Sequence, residues 1–371
     1  MHDLKDSSHI TDIDALFLAL IRCGIGKQSC LPCVPTGEQW EELYSIAKKQ
    51  ALPGIAFAGV EQLPAEQRPP SALILKWFQI VLSIKNNNKE MTRNTSMVNA
   101  KLRDEGFRNV VLKGQGIAQY YAQPDLRVAG DIDVWVEGGC DKVIAYVSNI
   151  IPQCAPMYHH VDFPVLQGID IELHYRPTWM YSLFRNSRLQ KFFKECEERE
   201  FDNFINTAEG KLYVPTVPFN LVYIPIHIYR HIFDEGIGLR QILDYYYVLQ
   251  QDVSCEEKEK CVKVLKSIGL LRFMMALMYV MKEIFALDAE HMLVEPDEKC
   301  GRFLLSEIML SGNFGRGDVR YKTADRGFNV PHFTNQLKRS FTLVRYFPSE
   351  TIWNPVFKVW HAYWRMRHRV K

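Results

Sequence analysis

The chain has 371 residues, 47% of them hydrophobic and 24% charged, which excludes a wholly disordered chain, a collagen and a disulfide-stapled miniprotein. Its 45 Lys and Arg against 43 Asp and Glu leave a formal charge of +2, far from the basic balance of a protein that coats nucleic acid. A chain of this length holds roughly two or three domains.

The first residues, Met1 to Lys5 and then Asp6, lack the basic start of a signal peptide, and the short apolar run Ala15 to Ile21 follows Asp12 and Asp14, so it reads as an ordinary helix. No apolar run reaches the roughly 18 residues that span a bilayer. The longest clear one, Phe273 to Met281, is closed by Arg272 and Lys282 and reads as a core helix. The nine cysteines are scattered, and the lone Cys30-x-x-Cys33 has no second pair to complete a metal site. Reduced thiols and a cytoplasmic location are the expectation.

Residues 1–95 read as helical. Trp40 to Ala47 and Ala72 to Leu82 repeat their apolar residues at helical spacing, Pro64, Pro69 and Pro70 punctuate them, and the polar stretch Lys85 to Glu90 falls inside one long helix that leads onward. Residues 96–180 change character. Val110 to Leu112 is strand-like, Gly114-Gln-Gly116 makes a turn, Ile117 to Tyr121 is helix-like, and Asp131 to Val136 and Ile169 to His174 alternate strictly. The fold class expected is α+β, a mixed-sheet core flanked by N-terminal and C-terminal helical regions. Residues 181–310 read as helical, over Asn220 to Phe233, Leu239 to Gln250, Lys258 to Ile268 and Leu270 to Leu287, with Pro225 expected to kink or reset the first. Residues 311–371 carry 12 Lys and Arg against 3 acids, so the rest of the chain is net acidic.

Chemistry concentrates in the middle segment. On a strand Asp131, Asp133 and Trp135 share one face, and on a second strand Asp170, Glu172 and His174 do the same. Two carboxylates held together repel unless a cation sits between them, and a divalent ion with oxygen ligands, Mg²⁺ or else Mn²⁺, resolves that conflict. If the two strands are neighbours, Glu172 supplies a third carboxylate, and Asp170 is the weaker competitor for that place. Three carboxylates around such ions suit transfer of a phosphoryl or nucleotidyl group from a triphosphate. Upstream, Gly114, Gln115 and Gly116 form a turn whose backbone can approach phosphate at the start of a helix. Lys113 is either a phosphate contact or an exposed lysine at a strand end. Arg127 either holds phosphate or pairs with Asp125 or a site carboxylate.

The order Lys113-Gly114, then Arg127-x-x-Gly-Asp131-Ile-Asp133, then Glu172-Leu-His174 resembles the polymerase-beta-like nucleotidyltransferase superfamily, and more narrowly a bacterial family of uncharacterised nucleotidyltransferases. His227-x-x-x-His231 and Leu239-x-x-x-Leu-Asp244 also look like the helical half of that family. The resemblance spans roughly residues 15–290 and is sharpest between 110 and 176. It implies a mixed sheet flanked by helices and metal-dependent transfer of a nucleoside monophosphate from a nucleoside triphosphate, ATP among the candidates, to an acceptor that is a small molecule, a protein or an RNA end. Asp131 and Asp133 match its metal-binding pair and Glu172 its third acid. Gln115 departs from the Ser or Gly usual after the first glycine, and the gap to Asp131 is somewhat long.

Other readings stand beside this one. A nucleotidyltransferase-like fold kept for binding or assembly is the first, and a D-x-D glycosyltransferase the second, although no early nucleotide-binding βαβ run precedes the D-x-D. His227 and His231 share a helix face but lack a third ligand, so a structural or substrate-facing role is expected. His174 is expected to line the cleft without ligating metal, and Asp244 to pair with Arg240 one turn earlier. The tail Trp360 to Lys371 mixes aromatics with basic residues; it is expected to pack its rings on the protein and leave its charges in water, with contact to an anionic membrane or nucleic acid as the alternative.

Overall fold

In the computed structural model the described residues are 11–315, 318, 320, 339 and 342–368. The first layer is helical: α1 (Asp12–Gly24), α2 (Gly37–Lys49), α3 (Pro53–Gln62) and α4 (Ser71–Asp104). Thr11 and Thr36 open α1 and α2 with reciprocal capping boxes to Asp14 and Gln39, which satisfies backbone N–H groups a helix start leaves free. α4 is the long helix expected, 34 residues, and it carries the helical layer across position 95 into the sheet domain.

The sheet holds β1 (Asn109–Val111), β2 (Ile132–Val136), β3 (His160–Asp162) and β4 (Ile171–His174) in the spatial order β1-β2-β4-β3. β2 runs parallel to β4 and antiparallel to β1, and β3 is antiparallel to β4, so the sheet is mixed. Between β1 and β2 lies α5 (Gln115–Ala118), and between β2 and β3 lies α6 (Gly139–Ile150). β2 is buried on both faces, because α7 (Leu183–Asp202) and α8 (Val217–Asp234) cover the face that bears Trp135, whose ring packs among Phe193, Phe201 and Phe219. Three strands were not expected from the sequence: β3, and β5 (Phe204–Thr207) and β6 (Gly210–Tyr213), which form a hairpin inside the stretch read as helical that packs Leu212 and Val214 on Val111.

α9 (Leu239–Leu249), α10 (Cys255–Ser267), α11 (Leu271–Phe285) and α12 (Glu298–Ser311) complete the helical half. α8 continues through Pro225, so the proline does not reset the helix. A helical proline leaves the carbonyl four residues earlier without its N–H donor, and here Tyr245 Oη donates to the Leu221 carbonyl at 3.1 Å, so the lost bond is replaced. The last helix, α13 (Pro348–Arg367), returns to the sheet domain, where Phe357, Trp360 and Trp364 surround Tyr158. Trp360 and Trp364 of the tail pack inward as expected, while Tyr363 is exposed; residues 369–371 and most of the basic stretch 316–341 lie outside the described residues. Among the described residues no helix is long and apolar enough to cross a membrane. All nine cysteines are free thiols.

Candidate active site

The site is built where β2 and β4 run side by side. Their register sets Asp133 opposite Glu172 and Trp135 opposite His174, while Asp131 sits one residue ahead of β2. The expected face therefore forms across two strands. Asp133 is the deepest of the three acids at 3% exposure, while Asp131 at 34% and Glu172 at 28% open outward. Asp170, the weaker competitor, is exposed and makes no part of the cluster.

Cations hold these carboxylates in place. Lys113 Nζ lies 2.6 Å from Asp133 and 3.5 Å from Asp131. His174 Nε2 lies 2.9 Å from Asp133 and 3.2 Å from Glu172. His174 was expected to line the cleft; instead it bridges two of the acids, and its Nδ1 is buried with no hydrogen-bond partner among the described residues. From β3, His160 Nδ1 stands 3.2 Å from Glu172, and His159 Nε2 stands 2.9 Å from that same nitrogen. Asp133, Glu172 and His174 each offer a ligand atom, and these three atoms lie within 4.8 Å of one another.

The charges follow from these contacts. Burial alone would push the His174 imidazolium to lower pKa, but its hydrogen bonds to Asp133 and Glu172 outweigh that and raise it to about 9. Burial would likewise raise Glu172, yet the His174 hydrogen bond and the neighbouring cations bring it down to about 2. Asp133 is lowered as well, its burial outweighed by Lys113 and His174. His160, by contrast, is pushed down by burial to about 4 and stays neutral at pH 7.

The turn after β1 supplies Lys113. Lys113 takes a positive φ of 29°, and Gly114 follows at φ 55° and ψ −122°, a conformation that only glycine adopts readily. The helix after it is four residues long, so the helix N-terminus expected here amounts to one turn. Gln115 turns away from the carboxylates: its Nε2 donates to Thr92 Oγ1 at 2.7 Å, tying the turn to α4. Gly116 is packed between the Val111 carbonyl and Val214, where a Cβ would come within 3.0 Å of that carbonyl oxygen.

A narrow cleft of 30 Å³ runs beside this turn, lined among others by Lys113, Gly114, Gly130, Asp131, His227 and Arg240. That is space for a few waters and far short of a nucleotide, so a triphosphate enters only when side chains along it move. Arg127 borders the cleft, but its guanidinium is engaged: Nε and Nη2 donate to the two carboxylate oxygens of Asp244 at 2.7 and 2.8 Å, and Tyr121 Oη adds 2.7 Å. Both expected pairings are corrected here. Arg127 pairs with neither Asp125 nor a site carboxylate, and Asp244 pairs with Arg127, not Arg240. Geometry decides, because this bidentate pair is buried and planar. Asn88 of α4 fixes the loop by donating to the Arg127 carbonyl at 2.6 Å.

From the sequence Arg240 is expected only as a partner of Asp244. It is buried, its Nη1 donates to the Val128 carbonyl at 2.8 Å, and its Nε has no partner among the described residues. Burial and the neighbouring Arg127 both disfavour its charge. Gly130 leaves room for it: a Cβ there would stand 3.2 Å from Nη1. His227 Nε2 lies 3.4 Å from Lys113 Nζ and so faces the site, with the His231 ring 4.3 Å away on the same helix.

Comparison with known proteins follows this geometry. No curated protein matches the chain. Among solved structures, an antigenic nucleotidyltransferase-like protein from Paracoccidioides brasiliensis is similar at 9% identity and a TM-score of 0.32, over 56% of this chain and 94% of that one, a likeness too slight to carry an argument. The family model described as uncharacterised nucleotidyltransferase matches residues 36–286, which takes in every site residue above, and the chain belongs to that family.

Proposed function

We propose that this chain is a metal-dependent nucleotidyltransferase that moves a nucleoside monophosphate from a nucleoside triphosphate to an acceptor. The observation that carries this reading is the β2–β4 register, which gathers Asp131, Asp133 and Glu172 beside a glycine turn. The donor set fits a hard divalent ion: three carboxylates would hold Mg²⁺ or Mn²⁺. When bound, the ion neutralises the triphosphate and the departing pyrophosphate.

The chain's own groups do the rest. Lys113 leaves Asp133 and takes phosphate charge, Arg240 meets the anion from the floor of the cleft, and Gly114 and Gly130 let backbone and guanidinium come close. Glu172, ionised throughout the physiological range, stands on the acceptor side with His174 and His160 fixing its orientation. The acceptor oxygen bonds the α-phosphorus in line, the α–β bridging P–O bond breaks, pyrophosphate leaves, and the acceptor's proton passes to a carboxylate and then to water. The acceptor is a small molecule, a protein side chain or an RNA end. Pyrophosphate release from ATP, GTP, CTP or UTP with Mg²⁺ or Mn²⁺, abolished in Asp131→Asn, is the expected result; undiminished release by Asp131→Asn contradicts the assignment.

One observation favours a second reading, a silent fold kept for binding. Lys113 and His174 already offset two of the three carboxylate charges, so most of what a divalent ion would neutralise is balanced without one. That reading predicts nucleotide binding that is indifferent to metal and no pyrophosphate release with any acceptor.

A further inference from the structure

Helix α13 has two apolar faces. The inner one is packed, with Phe357 and Trp364 buried against Tyr158. The outer one is open: Ile352, Val356, Val359, Tyr363 and Met366 are 63%, 47%, 75%, 50% and 64% exposed. Their spacing of four, three, four and three residues lines them along one side of the helix for nearly its whole length. Phe184 at the start of α7, 73% exposed, extends the strip, with its ring 5.9 Å from that of Trp353. Single exposed apolar residues are ordinary, but a continuous strip of this kind marks a surface that something covers.

Charge says what covers it. From Thr351 to Lys371 the sequence has no Asp or Glu, while it has Lys358, Arg365, Arg367, Arg369 and Lys371. The Arg367 guanidinium lies 5.2 Å from the Tyr363 ring, at the strip's own edge. The neighbouring start of α7 adds Arg188 and Lys191 before its first acid, Glu195. Pairing the strip with a second copy would bring like-charged borders together. An apolar helix face with Arg365 and Arg367 beside it matches an anionic bilayer surface, where apolar side chains enter the headgroup boundary and arginines reach lipid phosphates.

We propose that the outer face of α13, with Phe184, docks on an anionic lipid surface. This stands independently of the nucleotide chemistry. The test is co-sedimentation of the full chain with vesicles of phosphatidylcholine alone or with about one third phosphatidylglycerol. Binding to the anionic vesicles should exceed that to neutral ones by about tenfold or more and fall with added salt. Val359→Glu/Met366→Glu should abolish it, and Arg365→Gln/Arg367→Gln should weaken it by about thirtyfold, at about one kcal/mol per cation. Because Val359 and Met366 point outward, the first variant should keep the melting temperature of the wild type. Equal or no sedimentation with both vesicle types overturns the proposal. So does a wild-type dimer that the Val359→Glu/Met366→Glu variant converts to monomer, which assigns the strip to a second copy. A marked fall in the melting temperature of that variant also overturns it, by assigning the strip to the chain's own packing.

Discussion

The ammonium of Lys113 and the buried carboxylate of Asp133 stand 2.6 Å apart, so a carboxylate that the proposed divalent ion would use is already engaged. Burial alone would disfavour the lysine's charge, but Asp131 and Asp133 outweigh it and hold the group protonated. An ion bound by the two aspartates therefore has to displace this ammonium. Under the proposed function the site would exchange one cation for another, and the displaced lysine would become available to the phosphates.

Lys113→Met separates these roles. Without the competing ammonium, Mn²⁺ should bind the protein about tenfold more tightly in a calorimetric or EPR titration. In EDTA the same variant should be less stable by about 3 kcal/mol, since a buried carboxylate loses a partner. Nucleotide transfer should fall despite the tighter metal. Unchanged Mn²⁺ affinity would show that the lysine does not compete for the ion.

Stability should also fall with pH on the alkaline side. His174 is raised in the fold to about 9 from an ordinary value near 6.5, so its contribution is complete below about pH 6.5 and is lost as pH rises through about 9. Glu172 is depressed to about 2, so its contribution holds above about pH 4.5 and is lost as pH falls toward 2. Thermal unfolding in EDTA should show the alkaline loss in wild type and a flattened profile in His174→Gln. A wild-type melting temperature constant from pH 6.5 to 9 would contradict the contacts described.

The Arg127–Asp244 pair is buried on both sides, and Tyr121 Oη donates a further hydrogen bond to Asp244. Removing one partner leaves an unpaired buried charge, so Arg127→Met or Asp244→Leu should each cost about 3–5 kcal/mol in denaturant unfolding. The double variant should cost much less than the sum, because neither charge is then stranded. Additive losses would place the two residues in separate interactions.

Arg240→Gln should behave in the opposite way. The guanidinium is buried, repelled by Arg127 and partly unpaired, so stability should change little or rise. Triphosphate binding, followed as ligand-induced stabilisation, should weaken by roughly tenfold or more, as expected for loss of a charge-assisted contact. Unaltered triphosphate binding would remove Arg240 from the phosphate site.

The carboxylate centre was legible in the sequence because it rests on local rules. Alternation places Asp131 and Asp133 on one face, and one strand pairing brings Glu172 to them. The long helix α4 was legible from its period. What escaped depends on distant pairings. Asp244 lies 117 residues from Arg127, so the nearer Arg240 looked the better partner. β3 is three residues long, too short for alternation to register, and with it went His160. The hairpin β5–β6 is mostly exposed and polar, with little hydrophobic pattern to set it apart from the helices around it. That α8 continues through Pro225 was not legible because the hydroxyl that takes up the Leu221 carbonyl comes from Tyr245 on another helix.

The central claim is that Asp131 and Asp133 hold a metal that brings in a triphosphate. The most direct measurement is thermal unfolding with ATP, GTP, CTP and UTP, each with and without Mg²⁺, on the wild type and on Asp131→Asn/Asp133→Asn. Stabilisation of the wild type that requires the metal, favours one base and vanishes in the double variant is the predicted result. A shift that persists in the double variant, or no shift with any triphosphate, contradicts the claim.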